Sequence, residues 1–375
     1  MKMLIINSVL GYGSTGKIVL DIAHRNEQAG NKVKIAYGRS NGDSEEIIIA
    51  KRKYGIRIGN DVDVYIHALY TRLTDRHGFA SKRATTKFLR WAEEYNPDVL
   101  WIHNIHGYYI NVELLFQWIK ARPKMQVKWT LHDCWSFTGH CTYFTYVNCN
   151  KWRIGCHHCP QLSEYPRSVC DNSKENFDKK KQAFCNAPNL SIITPSSWLK
   201  TIVQKGFLSE YPVEVIHNSI DYNVFRPTGS GFKKNHGIEG KTILLGVANK
   251  WERRKGLNDF INLSTQLDND KYQIVLVGLS SRQVRDIKKK APDIIALPKT
   301  SNIEELVQIY SAADVFVNPT YEENYPTVNL EAEACGTRVI TYNTGGCGET
   351  INRKDSMIIE PGVENILKAL NSCIS

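Results

Sequence analysis

N-P-T-Y-E-E-N-Y-P-T-V-N-L-E-A-E-A-C-G-T-R-V-I-T-Y-N-T-G-G-C-G-E-T, residues Asn318 to Thr350, is the stretch on which the reading of the whole chain turns. A short apolar strand, Asp314 to Val317, runs into Asn318-Pro319, and a loop then carries the adjacent carboxylates Glu322 and Glu323. Pro326 presets φ where a helix can begin, at a position where a missing N–H costs nothing. The helix is expected to run to about Cys335, Gly336 to end it, and Arg338 to Tyr342 to form the next strand. Glu323 then waits on the loop at the helix mouth, and Glu331 sits about one turn inside the helix. Two carboxylates beside a positive helix end suit a ligand with hydroxyls at both ends and negative charge between them, which describes a nucleotide sugar.

Strand and helix alternate on both sides of this stretch. Upstream, Thr242 to Ala248 reads as a strand, Leu257 to Leu267 as a helix and Gln273 to Gly278 as a strand. A helix from about Ser281, a short strand near Ile294 and a helix from Asn302 to Ala312 follow. The first half repeats the pattern: strands at Met1 to Asn7, Lys32 to Tyr37, Pro97 to His103, Val127 to Leu131, Leu190 to Pro195 and Val213 to His217. Ser196-Ser197-Trp198-Leu199 opens the helix after the fifth of these, with a serine as the expected N-cap. The polar run Thr228 to Gly240 reads as linker and loop. The fold class is therefore α/β, with two doubly wound parallel sheets.

Polar residues collect at strand ends, where open α/β sheets place their ligands. After the first strand, Gly11-Tyr12-Gly13-Ser14-Thr15-Gly16-Lys17 opens a helix. It is not a Walker loop, because Ile18 stands where a hydroxyl residue must hold magnesium. Nor is it a dinucleotide site, because the second strand ends in Gly38-Arg39 and not in an acid. A glycine turn before a helix N-terminus remains, able to bring backbone N–H groups to an anion. His103, Asn104 and His106 follow one strand and His132-Asp133 another, so two strands deliver histidines to one edge. Directly after them, Cys141, Cys149, Cys156 and Cys159 are spaced C-x7-C-x6-C-x2-C in a segment, Cys134 to Tyr165, with no regular pattern. Four soft ligands of structural zinc, unligated thiols and redox use all fit that spacing.

The 375 residues suit two domains, and 42% hydrophobic content with 18 Tyr and 8 Trp excludes disorder. No run approaches the 18 apolar residues of a membrane span, and the N-terminus lacks the pattern of a signal peptide. The net charge of +10 is concentrated early: ten Lys/Arg stand against three Asp between Lys51 and Arg90. From Ile66 to Trp91, Tyr70, Leu73, Phe79, Phe88 and Trp91 interleave with Arg72, Arg76, Lys82, Arg83, Lys87 and Arg90. That mixture suits an anionic membrane surface, and equally a solvated face over an ordinary core helix. None of the recognised nucleic-acid modules is present.

Glu323 and Glu331, followed by Gly336, the strand, Gly345-Gly346 and Glu349, resemble the donor-site signature of the retaining GT-B glycosyltransferases of family 4. Adding His132-Asp133, Thr138-Gly139, the cysteine segment, Trp251 and Arg254-Lys255-Gly256 makes the pattern similar to bacterial enzymes of capsule, exopolysaccharide or O-antigen assembly. The resemblance implies two Rossmann-like domains facing a cleft. These would be an acceptor domain at 1–217 with its insertion at about 134–165, a donor domain at 218–362, and a terminal helix, 363–375, crossing back. It implies His132 near the donor sugar, Arg254 and Lys255 on the diphosphate, and Glu323 near the sugar. Glu331 would accept from ribose hydroxyls, with Gly13, Lys250, Asn324, Tyr325, Thr327 and Val328 completing the donor site. Lys250 is included because the family pairs Arg with a Lys five residues later, and Lys250 occupies the earlier position. His103, His106 and Asp133 would lie on the acceptor side.

The implied partners are a UDP- or GDP-linked sugar, a lipid-linked saccharide and the inner face of the cell membrane. Catalysis would need no metal. A non-catalytic sugar-nucleotide or glycan-binding scaffold on the same fold is the alternative, and a zinc-stabilised nucleic-acid binder is a third. Intact Glu323, Glu331, Lys255 and His132 favour the enzyme over the scaffold.

Overall fold

The structure is a computed structural model that describes residues 1–39 and 44–374. It divides into two units, Met1–Ile216 and His217–Ser375. In the first, strands β1 (Lys2–Val9), β2 (Lys32–Arg39), β3 (Gly55–Arg57), β4 (Val99–Ile102), β5 (Gln126–Thr130), β6 (Leu190–Thr194) and β7 (Val213–Val215) form one sheet. All pairs are parallel, in the order β3-β2-β1-β4-β5-β6-β7 among the described residues. The order reverses between β1 and β4, where Met3 pairs with Val99 and Ile6 with Ile102.

The second unit repeats the plan with β8 (Thr242–Val247), β9 (Tyr272–Val277), β10 (Ile295–Leu297), β11 (Val315–Asn318), β12 (Arg338–Tyr342) and β13 (Met357–Ile359). Their order is β10-β9-β8-β11-β12-β13, again parallel, with the reversal between β8 and β11. Parallel sheets need cover on both faces, and side chains alternate across a strand. Met3 and Ile5 accordingly enter one core and Leu4 and Ile6 another. Leu244 and Ile243 divide in the same way in the second unit.

Most boundaries lie within one or two residues of the sequence reading, because the signals were local. Ser196 caps its helix by accepting from Leu199 N at 3.0 Å, and Asn302 does the same for Glu305 N at 2.8 Å. Gly336, at φ +91°, follows the helix Thr327–Ala334. The helix Val363–Ile374, which the resemblance sends toward the first unit, buries Ile366, Ala369 and Leu370 in a core of the second.

Two parts of the first unit differ from what the sequence suggested. The segment Cys134 to Tyr165, patternless in sequence, is organised by aromatic packing: Phe144 stacks on Trp152 at 4.9 Å and meets Phe137 edge-on at 6.3 Å. The basic segment Ile66 to Trp91 spans two helices, Asp61–Thr74 and Lys82–Tyr95. Phe79 and Phe88 are buried, and Trp91 is drawn partly into the same core, so these aromatics are not the exposed ones. Of the apolar residues named in that segment Leu73 is exposed, and it shares one helical face with the exposed Val62, Tyr65, Ile66 and Leu69. Among the described residues, no helix is long and apolar enough to cross a membrane.

Candidate active site

In the second unit the loops after β8 and β11, the two strands at the reversal, come together. Gly256 adopts φ +71°, and a Cβ there would stand 2.2 Å from the Pro319 carbonyl oxygen, so only glycine permits this approach. Tyr321 N donates to the Arg254 carbonyl at 2.7 Å and seals the contact. From the β8 side, Arg254 Nη1 then donates to the Glu322 carbonyl at 2.7 Å and to Glu323 Oε2 at 3.0 Å, and Lys255 Nζ pairs with the same Oε2. Gly345, at φ +56°, lies against the Glu323 carbonyl, to which Gly346 N donates at 3.0 Å.

Burial opposes ionisation of Glu323, yet Lys255 and Arg254 outweigh it and hold the carboxyl well below its ordinary range. Glu323 is therefore an acceptor at neutral pH and not a proton donor. Glu331, on the helix that starts after this loop, accepts from the buried Tyr310 hydroxyl at 3.0 Å. The two candidates for the earlier cation differ in their surroundings. The Lys250 side chain is 75% exposed and reaches Glu252 at 2.8 Å, whereas that of Arg254 is 12% exposed and reaches Glu323. Asn324 is buried beside Glu323, and Tyr325 stacks on His217 at 4.8 Å. Thr327 and Val328 form the first turn of the helix.

Sequence reasoning missed the residues that brace this loop. Asp259 accepts from the Tyr321 hydroxyl at 2.9 Å and the Tyr342 hydroxyl at 2.6 Å, tying the helix after Gly256 to the β11 loop. Asn318 Nδ2 donates to Asn329 Oδ1 and Asn329 Nδ2 to Thr350 Oγ1, both at 2.8 Å. Such contacts join residues far apart in sequence, and no local pattern marks them.

The first unit gathers its own polar group where its strand order reverses. Asn7 accepts from Asn104 N at 3.2 Å and donates to the Val9 carbonyl at 2.7 Å, linking the ends of β1 and β4. Gly11 N donates to the Gly16 carbonyl at 3.1 Å, and the helix Gly13–Gln28 starts with Gly13 at φ +65°. Beyond β4 and β5, His103 Nδ1 meets His132 Nε2 at 2.9 Å, with the rings stacked. His106 Nε2 lies 2.8 Å from Asp133 Oδ2, and its Nδ1 lies 3.1 Å from the Tyr165 hydroxyl.

Burial, reinforced by His106 and opposed by Asp133, brings His132 down to about 4, and burial with His132 nearby takes His103 well below 6.5. Both rings are neutral at neutral pH, so one donates to the other as a neutral hydrogen bond. Burial raises the Asp133 carboxyl, but His106 outweighs it and the net shift is downward. Two further histidines escaped sequence reasoning: His77 Nε2 accepts from Gly107 N at 3.1 Å and His67 Nε2 from Gly78 N at 3.2 Å. They fix the loops around this cluster.

Comparison with known proteins adds to this geometry. The model of the family described as "Glycosyl transferases group 1" matches residues 231–375. WcaC of Escherichia coli strain K12, named as a glycosyl transferase of colanic acid biosynthesis, is 23% identical over 362 residues, covering 94% of this chain and 86% of WcaC. N,N'-diacetylbacillosaminyl-diphospho-undecaprenol alpha-1,3-N-acetylgalactosaminyltransferase of Campylobacter jejuni is 32% identical over 122 residues, 32% of either chain. The crystal structure of Anabaena HepE in complex with UDP superposes with a TM-score of 0.66 at 16% identity, covering 100% of this chain and 90% of that one. That likeness shows the fold, which is GT-B.

Proposed function

We propose that the chain, a glycosyltransferase of GT-B fold acting in polysaccharide biosynthesis, moves a sugar from a nucleoside-diphosphate donor to a lipid-linked or growing saccharide, with retention at the anomeric carbon. One observation carries this reading. Arg254, Lys255 and Glu323 meet at the ends of the two strands flanking a strand-order reversal, with Glu331 on the helix that follows. The two cations and the helix N-terminus stabilise the charge that develops as the sugar–phosphate bond breaks, which is the work a metal performs in other transferases. Arginine forks onto phosphate oxygens and lysine adds a compact charge. Glu323 accepts from hydroxyls of the donor sugar and Glu331 from those of the ribose.

The acceptor hydroxyl attacks on the leaving group's side through an oxocarbenium-like state, and its proton passes to the departing phosphate oxygen. His132 serves the sugar near the reacting carbon, and His103, His106 and Asp133 serve the acceptor side. The UDP in the HepE structure and the diphospho-undecaprenol in the Campylobacter relative's name support this choice of donor and acceptor class.

The decisive assay follows hydrolysis or transfer from nucleotide sugars in the presence of EDTA. Turnover that is lost in Lys255→Ala and in Glu331→Ala supports the site, and full activity in both variants removes it. A thermal-shift screen then separates UDP from GDP donors, because a ligand at about 100 times its Kd stabilises by about 2.7 kcal/mol.

The same reading sets the first unit on the anionic inner face of the cell membrane. The face carrying Val62, Tyr65, Ile66, Leu69 and Leu73 supports it, together with the exposed Lys82, Arg83, Lys87 and Arg90 on the following helix. Each basic residue near such a surface contributes about 1 kcal/mol. Flotation with anionic but not with neutral vesicles is the expected result.

A further inference from the structure

The transfer proposed above gives no role to the cysteines of the first unit, yet four of their thiols converge. Cys141, Cys149, Cys156 and Cys159 line one small hollow of about 10 Å³, room for a single water-sized body. Cys141 and Cys159 lie within hydrogen-bond reach of each other. Two sulfurs already receive backbone donors: Gly139 N reaches Cys156 Sγ at 3.2 Å, and the N–H of Gln161 serves Cys159. His158, at φ +44°, turns the chain between Cys156 and Cys159 so that both face inward.

Polar side chains border the same hollow. Lys180 is buried, donates to the Trp135 and Thr138 carbonyls at 2.7 and 3.0 Å, and lies in electrostatic reach of Cys156 and Cys141. The Asp75 and Asp133 carboxylates are its other electrostatic neighbours. His140 lines the same hollow, with Nδ1 on the Asp75 carboxylate. Its buried Nε2 has no hydrogen-bond partner among the described residues. His140 thus lines the hollow beside the four thiols, with one nitrogen held by an aspartate and the other unpartnered among the described residues.

We propose that this hollow is a structural zinc site in which the thiolates of Cys141, Cys149, Cys156 and Cys159 hold the ion. Binding converts four thiols to thiolates with release of their protons to solvent, and no electron is transferred. Among the described residues no three potential ligands stand at coordination spacing. The proposed site therefore requires the four thiols to draw closer onto the ion than they stand here. A closed site of four sulfur ligands suits zinc and leaves no open position for catalysis. The ion would add a crosslink to a segment whose other cement is aromatic packing, without entering the transfer reaction.

Metal analysis of the full-length protein, purified without chelator, is expected to find one zinc per chain, released when a mercurial titrates the thiols. Growth with cobalt should give the sulfur-to-metal charge-transfer band and strong visible bands of a tetrahedral thiolate centre. Cys159→Ser should lose the stoichiometric metal, whereas Cys170→Ser, altering an exposed cysteine of the same region, should keep it. Thiols that titrate freely in metal-free protein overturn the proposal, as does a Cys141–Cys159 disulfide or iron in place of zinc. The readout is metal content, so the result stands whether or not the proposed transfer is observed.

Discussion

Arg254 Nη1 lies 3.0 Å from Glu323 Oε2, across 69 residues of chain, and Lys255 closes onto the same oxygen. One carboxylate thus organises two cations, ahead of the donor that the proposed function places there. Arranging those charges in advance removes the reorganisation that a transition state would otherwise have to drive.

Glu323→Gln leaves both cations facing a neutral amide in a mostly buried site, and should destabilise the fold by about 3 kcal/mol. The pH dependence follows from the direction of the shift. Although burial opposes it, the cations hold the folded carboxyl below its ordinary 4.5. Its stabilisation is therefore complete above that value and drains away as pH falls through the folded value. Urea midpoints of the two proteins should differ most near neutrality and draw steadily together as pH falls below 4.5 toward the folded value. A difference independent of pH would mean that the ion pair does not form in solution.

Lys255→Ala should lower kcat by about 10²–10³-fold, the usual effect of removing one preorganised donor. Arg254→Lys should also lose activity, because an ammonium cannot contact the Glu322 carbonyl and Glu323 as the guanidinium does. Lys250→Ala should stay within about threefold of the parent, since an exposed pair with Glu252 is worth about 0–1 kcal/mol. Steady-state hydrolysis of the nucleotide sugar checks all three. Equal losses at Lys250 and Lys255 would assign phosphate contact to the exposed lysine.

Burial takes His67 down to about 3 and His132 to about 4, and takes His77 and His103 well below 6.5. Below about pH 6.5 the unfolded chain binds protons that the folded chain refuses. Stability should therefore fall between about pH 6.5 and 4, by about 1.4 kcal/mol per pH unit for each such proton. His132→Asn should reduce that slope by about one proton. An unaltered slope would show that His132 titrates alike in both states.

Leu69→Asp combined with Leu73→Asp should abolish flotation with anionic vesicles while leaving stability nearly unchanged, because both side chains are exposed. Phe88→Ala, from the neighbouring helix, should instead cost about 3–5 kcal/mol, because Phe88 is buried. Vesicle binding that survives the double variant would remove this face from the membrane reading.

Local signals carried a large part of the fold. Glycine at Gly336, serine at Ser196 and asparagine at Asn302 mark helix ends because each acts on backbone groups only a few residues away. The alternation of apolar strands with amphipathic helices was equally readable, since it follows from how a sheet covered on both faces must be built. The exposed face of Asp61–Thr74 was not, because a spacing of three and four marks an apolar stripe without saying whether anything covers it.

By itself, then, the sequence determined two parallel α/β sheets, their approximate strand limits and the cluster of chemically capable residues at strand ends. The tertiary structure alone decided which cation meets Glu323, that Asp259 and Asn329 brace the loop around it, and that four scattered cysteines share one hollow. The physical reason is separation along the chain. Caps and periodicity are settled within one turn of backbone, whereas a pairing across 69 residues exists only once β8 and β11 lie side by side.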